Sequence, residues 1–300
     1  MFVKIKTGRG LRGSTFLAVF SRSRQRSSAL PAFAVMALLF LSPPSRAQDR
    51  VPGDPSATPD GGSSRADLPD APQPQVANPA AESGGVTLRA TPINILKDQG
   101  AIWTSPARIR ENNAILPVAL VLATTLTITT DHQVMSSSKL QNTSLNNEAD
   151  TASTGLVGGF VAAPVIIYGL GQIHHDSHAT ETGILGGEAM VDSLIVDEAM
   201  KLISFRERPT VDNAKGKFFQ SSVGLNSSFP SMHSVIAWSS ATVIASEYDG
   251  PLTKVACYGL ATGVSLTRVL SRQHFPSDVL VGSAVGWLIG RYVIHRHRRD

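Results

Sequence analysis

FPSMHSVIAWSSATVIA, residues 229–245, joins two unlike kinds of sequence. From Val235 onward it is a run of apolar and small residues without strand-like alternation, so it reads as a buried helix. The opening, Phe229 to Ser234, is not what packing alone asks for. Pro230 suits a first helical turn, where a missing N–H costs nothing. Ser231 is a natural capping residue, and the free amides of such a turn attract negative charge. His233 in the same turn can give or take a proton near neutral pH. The stretch therefore reads as a helix start facing an anion. A capped helix with an incidental histidine is the plainer alternative.

Five further apolar segments lie at 114–128, 155–173, 183–203, 255–266 and 279–294, separated by polar or turn-like stretches. None alternates like a strand, so the expectation is an all-α fold, a six-helix bundle. Glycines recur at four-residue spacing, as Gly155 and Gly159, Gly183 and Gly187, and Gly282, Gly286 and Gly290. That spacing lets helix backbones approach closely, in membranes and in tightly packed soluble bundles alike. Glu188, Asp192, Asp197 and Glu198 make the 183–203 helix the poorest candidate for crossing a bilayer.

Two other pieces carry chemistry. In KLISFRERP, 201–209, Lys201 and Arg208 are about two helical turns apart and are expected on one face. A basic cap favoured by the helix dipole would look the same. In TRVLSRQHFPSD, 267–278, Arg268 precedes His274 by six residues and Asp278 follows it by four. Pro276 and Ser277 mark a helix start, from which Asp278 can accept a hydrogen bond from one ring nitrogen of His274. The other nitrogen is then free as a nucleophile.

The order Lys-x6-Arg-Pro, Pro-Ser-x-His, Arg-x5-His-x3-Asp resembles the type 2 phosphatidic acid phosphatase superfamily, which includes bacterial class A acid phosphatases and vanadium haloperoxidases. The resemblance covers roughly 181–295. It implies a metal-independent phosphatase with no cofactor, acting on phosphate monoesters or pyrophosphates. The substrates it implies are lipid-linked ones, of the phosphatidic acid or undecaprenyl type. His274 is the implied nucleophile, giving a phosphohistidine. Asp278 orients it, and His233 protonates the leaving oxygen and then activates water. Lys201, Arg208, Ser231, Met232 and Arg268 are the implied phosphate binders. Met232 stands where the family has glycine, keeping the N–H but adding a side chain that can narrow the pocket. Thr267 stands for the usual serine before Arg268 and keeps the hydroxyl. Residue chemistry supports this independently: three cations suit a doubly charged phosphoryl group, and guanidinium forks match its oxygens. A vanadium-dependent haloperoxidase, with vanadate in the same cradle, is the alternative. A non-catalytic envelope binding protein that kept the fold is another.

The rest of the chain sets the context. Residues 1–47 carry eight basic residues and no acid, so the chain's +4 becomes −4 without them, which argues against a nucleic-acid partner. Arg22, Arg24 and Arg26 precede the short apolar stretch 29–41, and Ser45 and Ala47 follow it: a signal peptide over 1–47, implying export to the periplasm or its face of the inner membrane. Residues 48–92 are expected to be a disordered Pro/Gly/Ala-rich linker, 93–110 an amphipathic leader segment, and 111–300 the phosphatase domain. A periplasmic site requires that one of the first three helices not span, the 183–203 helix foremost, or that none of the six does. The single cysteine, Cys257, excludes an intrachain disulfide. The His174, His175, Asp176, His178 cluster reads as a polar loop rather than a metal site. Glu188 and Asp192 read as partners in hydrogen bonds or salt bridges within the bundle. The basic tail HRHRRD, 295–300, is suited to acidic lipid headgroups or to solvent.

Overall fold

The computed structural model describes residues 86–297, which are helical with no strand among them. Among the described residues there are seven α-helices rather than six: α1 (Thr91–Thr104), α2 (Ile115–Met135), α3 (Thr143–His174), α4 (Ser177–Ser204), α5 (Met232–Glu247), α6 (Pro251–Leu270) and α7 (Pro276–His297). The additional helix is the leader, which packs on α4. The signal peptide and residues 48–85 of the linker lie outside the described residues. Residues 91 and 92 already belong to α1.

Local chemistry explains most boundaries. Asn142 caps α3 by accepting hydrogen bonds from the amides of Ser144 and Leu145. Asp176 caps α4 by accepting from Ala179, so this part of the histidine-rich stretch serves the tight α3–α4 turn, with His175 in the left-handed region. Gly250 and Pro251 open α6, and Pro276 opens α7.

The central element is α5, buried along almost its whole length. Its Ile236, Ala237, Ala241 and Ile244 pack with Phe160, Ala163 and Ile167 of α3 and with Cys257, Ala261 and Val264 of α6. Buried hydroxyls on α5 are satisfied: Ser240 donates to the Phe160 carbonyl at 3.1 Å and Thr242 to the Trp238 carbonyl at 2.6 Å.

The closest helix pair is α5 with α7, and the glycine series makes it possible. A Cβ at Gly282 would sit 2.7 Å from the Ser231 carbonyl oxygen, one at Gly290 2.9 Å from that of Ser239, and one at Gly286 would fall on the Val235 carbonyl. Gly183 and Gly186 similarly admit Pro164 of α3, whereas Gly187 meets nothing within 4 Å. The spacing signal therefore marks real contacts on α7 and only half of them on α4.

Gly286→Val is expected to force α5 from α7 and to lower the unfolding free energy by about 3 kcal/mol or more. Gly259→Ala, where the added Cβ meets nothing, is expected to stabilise slightly. Denaturant unfolding of the detergent-purified variants checks both.

Candidate active site

The three motif segments meet at one end of the bundle. The C-terminus of α4, the 205–231 connection, the N-terminus of α5, the C-terminus of α6 and the N-terminus of α7 all converge there, with the N-terminus of α3 beside them.

Arg206, which the sequence reading passed over, organises the base of the site. Its guanidinium is 1% exposed. Nη2 donates to Asp131 Oδ2 of α2 at 2.7 Å, and Nη1 donates to Asp278 Oδ1 of α7 at 2.5 Å. Nη1 also reaches Ser277 Oγ at 2.7 Å, and Nε reaches the Gly216 carbonyl at 3.3 Å. Phe218 and Phe275 lie against the guanidinium, with ring centroids 4.6 Å and 4.1 Å from it. Asp131 also accepts from the Ser277 amide at 3.1 Å and from the Ser277 hydroxyl.

His274 is 2% exposed and sits just before α7. Its Nδ1 is 2.7 Å from the Ser228 carbonyl, an acceptor, so Nδ1 carries the proton and Nε2 keeps its lone pair. This differs from the expected pairing with Asp278. Asp278 Oδ2 is 3.8 Å from Nδ1 and accepts instead from the Phe275 amide at 2.8 Å. Asp278 acts on the ring through its charge and through the loop it fixes. Burial pushes the His274 pKa down, against the pull of Asp278.

Arg208 lies beyond α4, because Phe205 enters the left-handed region and ends the helix at Ser204. Lys201 and Arg208 therefore do not share a helix face. Arg208 is held by Asn226 Oδ1 at 3.0 Å and by the Gln273 carbonyl at 3.2 Å. Lys201 is buried and paired with Asp197 at 2.7 Å and Glu198 at 2.8 Å. Buried Arg268 gives Nη1 to Asp150 at 2.7 Å, while its Nε has no partner.

Arg208, Arg268 and His233 line a cavity of about 400 Å³ with Asp150, Thr154, Asn226 and Gln273. Burial, then Arg268, His274, Arg208 and Lys201, hold the His233 pKa down at about 3. His233 is therefore neutral in the empty site. Ser231 is fully buried, makes no side-chain cap bond, and gives its amide to the Asp278 carbonyl at 3.1 Å. Of the eight expected residues, three line the cavity. Met232 lines the adjoining groove, and His274, Asp278, Ser231 and Lys201 are buried beyond the cavity lining. Asp150, Asn226 and Gln273 are lining residues that no motif marked.

A second, almost wholly apolar groove of about 500 Å³ adjoins the cavity through the shared Thr154 and His233. Val157, Val161, Val165 and Ile166 of α3 form one wall, and Met232 and Ile236 of α5 the other.

A cavity between helix ends, lined by two guanidiniums and a histidine, is suited in charge to an oxyanion. The PAP2 superfamily model matches residues 184–300. That match covers the stretch that holds the three motifs, and the resemblance drawn from them stands. A lipid A 1-phosphatase from Porphyromonas gingivalis is 40% identical over 65 residues, 21% of this chain. The match spans 15% of that relative's length. No solved structure matches the chain.

Arg206→Ala leaves Asp131 and Asp278 buried without their cation. The expected loss is about 3–5 kcal/mol of unfolding free energy, measurable by denaturant titration. A change below about 1 kcal/mol would contradict the role assigned to Arg206.

Proposed function

We propose that the protein is a membrane-associated lipid phosphatase that cleaves phosphate esters or pyrophosphates through a phosphohistidine on His274. The observation that carries this reading is the continuity of the cationic cavity with the apolar groove through His233 and Thr154. A phosphate head fits the first, and an acyl or prenyl chain fits the second. The groove follows α3 from Val157 to Ile166, roughly 14 Å at the helical rise. Beside it Val161, Val165 and Ile166 are exposed.

Membrane association has further support. Three helices, α2, α3 and α7, are long and apolar enough to cross a bilayer, and α4 with its carboxylates is not among them. On α2, Ile115, Val121, Leu122 and Leu126 are all more than 60% exposed, a patch too large for a surface facing water alone. The relative is a lipid A phosphatase by name. α2 ends at the site, with Asp131 on Arg206, so a periplasmic site requires either that the residues before α2 lie on the cytoplasmic side or that α2 does not cross.

In the proposed mechanism the phosphoryl group displaces Asp150 from Arg268 and engages the free Nε. Arg208 adds a second guanidinium, and Lys201 contributes positive charge from behind. The Met232 and His233 amides in the first turn of α5 complete the cradle. His274 Nε2 attacks phosphorus in line while Nδ1–H stays on the Ser228 carbonyl. The P–O bond to the leaving group breaks, and that oxygen takes a proton from His233. The arriving phosphoryl charge offsets the four neighbours that hold His233 neutral, so it can be protonated in the complex. In the second step His233 takes a proton from water, whose oxygen attacks phosphorus. The P–N bond breaks and inorganic phosphate leaves. The side-chain cations and helix amides supply the charge stabilisation, and no step calls for a metal or another cofactor.

Phosphate release from a long-chain lipid phosphate and from a short-chain analogue tests the reading. Val161→Asp, in the groove wall, is expected to raise KM for the long-chain substrate by roughly tenfold and to leave the short-chain one nearly unchanged. His274→Ala is expected to abolish both activities. Equal effects of Val161→Asp on both substrates would remove the lipid assignment. Halide oxidation with added vanadate, without phosphate release, would instead support the haloperoxidase reading.

A further inference from the structure

Midway along α4, roughly 14–20 Å from Lys201 by helical rise, three carboxylates are fully buried together. Asp98 comes from α1, and Glu188 and Asp192 from α4. One oxygen of each lies within 4.8 Å of the others. That separation fits oxygens shared by one ion, since ligand distances of about 2.0–2.6 Å place opposed ligands up to twice as far apart.

The surroundings are built for carboxylates but do not satisfy them. Asn94 donates to Glu188 Oε2 at 3.4 Å, and Gln99 to Asp192 Oδ1 at 2.8 Å. Tyr292 donates to Asp98 Oδ1 at 3.1 Å, and Arg296 pairs with the same oxygen. The remaining oxygens, Asp98 Oδ2, Glu188 Oε1 and Asp192 Oδ2, have no partner. Three carboxylates against the one guanidinium leave two negative charges in a place closed to water. Burial raises Glu188 to about 7 and Asp192 to about 6, as expected of carboxylates without sufficient counter-charge. His297 lies beside this group. Its Nδ1 faces the Val293 carbonyl at 3.0 Å, and Nε2 lies 3.3 Å from Asn94 Nδ2 and 3.6 Å from Glu188 Oε1.

We propose that Asp98, Glu188 and Asp192 bind one divalent cation of the oxygen-preferring class (magnesium, calcium or manganese), and that this ion fastens the leader helix α1 to the bundle. The class follows from the donors: carboxylate oxygens with amide and hydroxyl partners and no thiolate. One such ion cancels the two uncompensated charges. The site is structural, and it is independent of the reaction proposed above. Its consequence is that docking of α1 depends on a cation while the chemistry at His274 does not use one.

The test uses the full chain in detergent, stripped with chelator and dialysed, with Mg²⁺, Ca²⁺ or Mn²⁺ then added singly. One equivalent of metal per chain is expected by elemental analysis. The melting temperature is expected to rise by roughly 5 °C, and the α1–α2 connection, 105–114, to become protected from limited proteolysis. Asp98→Asn and Glu188→Gln are each expected to lose the stoichiometric metal and the thermal shift. Should either variant fail to fold, Mn²⁺ paramagnetic resonance on the wild-type protein decides by itself, through bound or free manganese signals. No stoichiometric binding of any of the three ions would overturn the proposal and leave protons as the neutralising charge. So would a thermal shift that survives in both variants.

Discussion

The site rests on a single buried cation. Arg206 reaches Asp131 on α2 and Asp278 on α7 from the connection between α4 and α5. Its backbone then pairs with Ser227 and Ser228: its amide donates to Ser227 Oγ at 2.9 Å, and its carbonyl accepts from the Ser228 amide at 2.9 Å. Ser228 in turn holds His274. A chain of short contacts thus runs from Arg206 to the ring of the proposed nucleophile without entering the cavity. Buried ion pairs add little stability in themselves, but each partner is costly to strand. What the arrangement provides is position: three segments far apart in sequence are tied together by hydrogen bonds from one guanidinium to two carboxylates.

Above that base the site is under electrostatic tension. Lys201, Arg208 and Arg268 are gathered near His233, and each is restrained by carboxylates or carbonyls: Asp197 and Glu198, Asn226 and Gln273, and Asp150. Asp150 contributes the carboxylate oxygen that a phosphate would otherwise contribute. On the proposed mechanism the cradle is formed before an anion arrives, and binding would exchange one oxyanion for another at Arg268. The apolar groove accommodates the methionine that stands where the resemblance implies a glycine. Met232 keeps its amide for the cradle and turns its side chain into the groove wall shared with α3.

Much of this was legible in the sequence, and the boundary has physical reasons. Lys201, His233, Arg268, His274 and Asp278 were singled out because the proposed chemistry calls for those residue types at spacings that helices and turns impose, and they do gather at one end of the bundle. The glycines of α7 are visible because backbone contact tolerates no Cβ. Arg206 is not legible, since nothing local separates a charge destined for burial from one facing water, and its partner Asp131 sits 75 residues away. The ends of α2 and α3 were misjudged for a related reason. TTDHQVM and the stretch after Asn142 are polar yet helical because they pack at the site rather than in the apolar core. The shared face expected for Lys201 and Arg208 failed at Phe205, whose left-handed backbone the sequence does not announce. The hydrogen bond expected between His274 and Asp278 failed because Arg206 and the Phe275 amide take the carboxylate. Glu188 and Asp192 do sit among hydrogen bonds, as expected, but with partners from the leader helix that no periodicity reveals.

α4 thus reaches the candidate site at its C-terminus and holds the leader helix near its middle. The central claim is that His274 carries the phosphoryl group between substrate and water. Rapid acid-free quenching of His233→Ala with a ³²P-labelled lipid phosphate addresses it most directly, because that variant forms the intermediate slowly and hydrolyses it more slowly still. The account predicts a protein-bound label that survives alkali, is lost in acid, and maps to His274. Label on a serine or a carboxylate, or turnover with no protein-bound phosphate at any time, would contradict it.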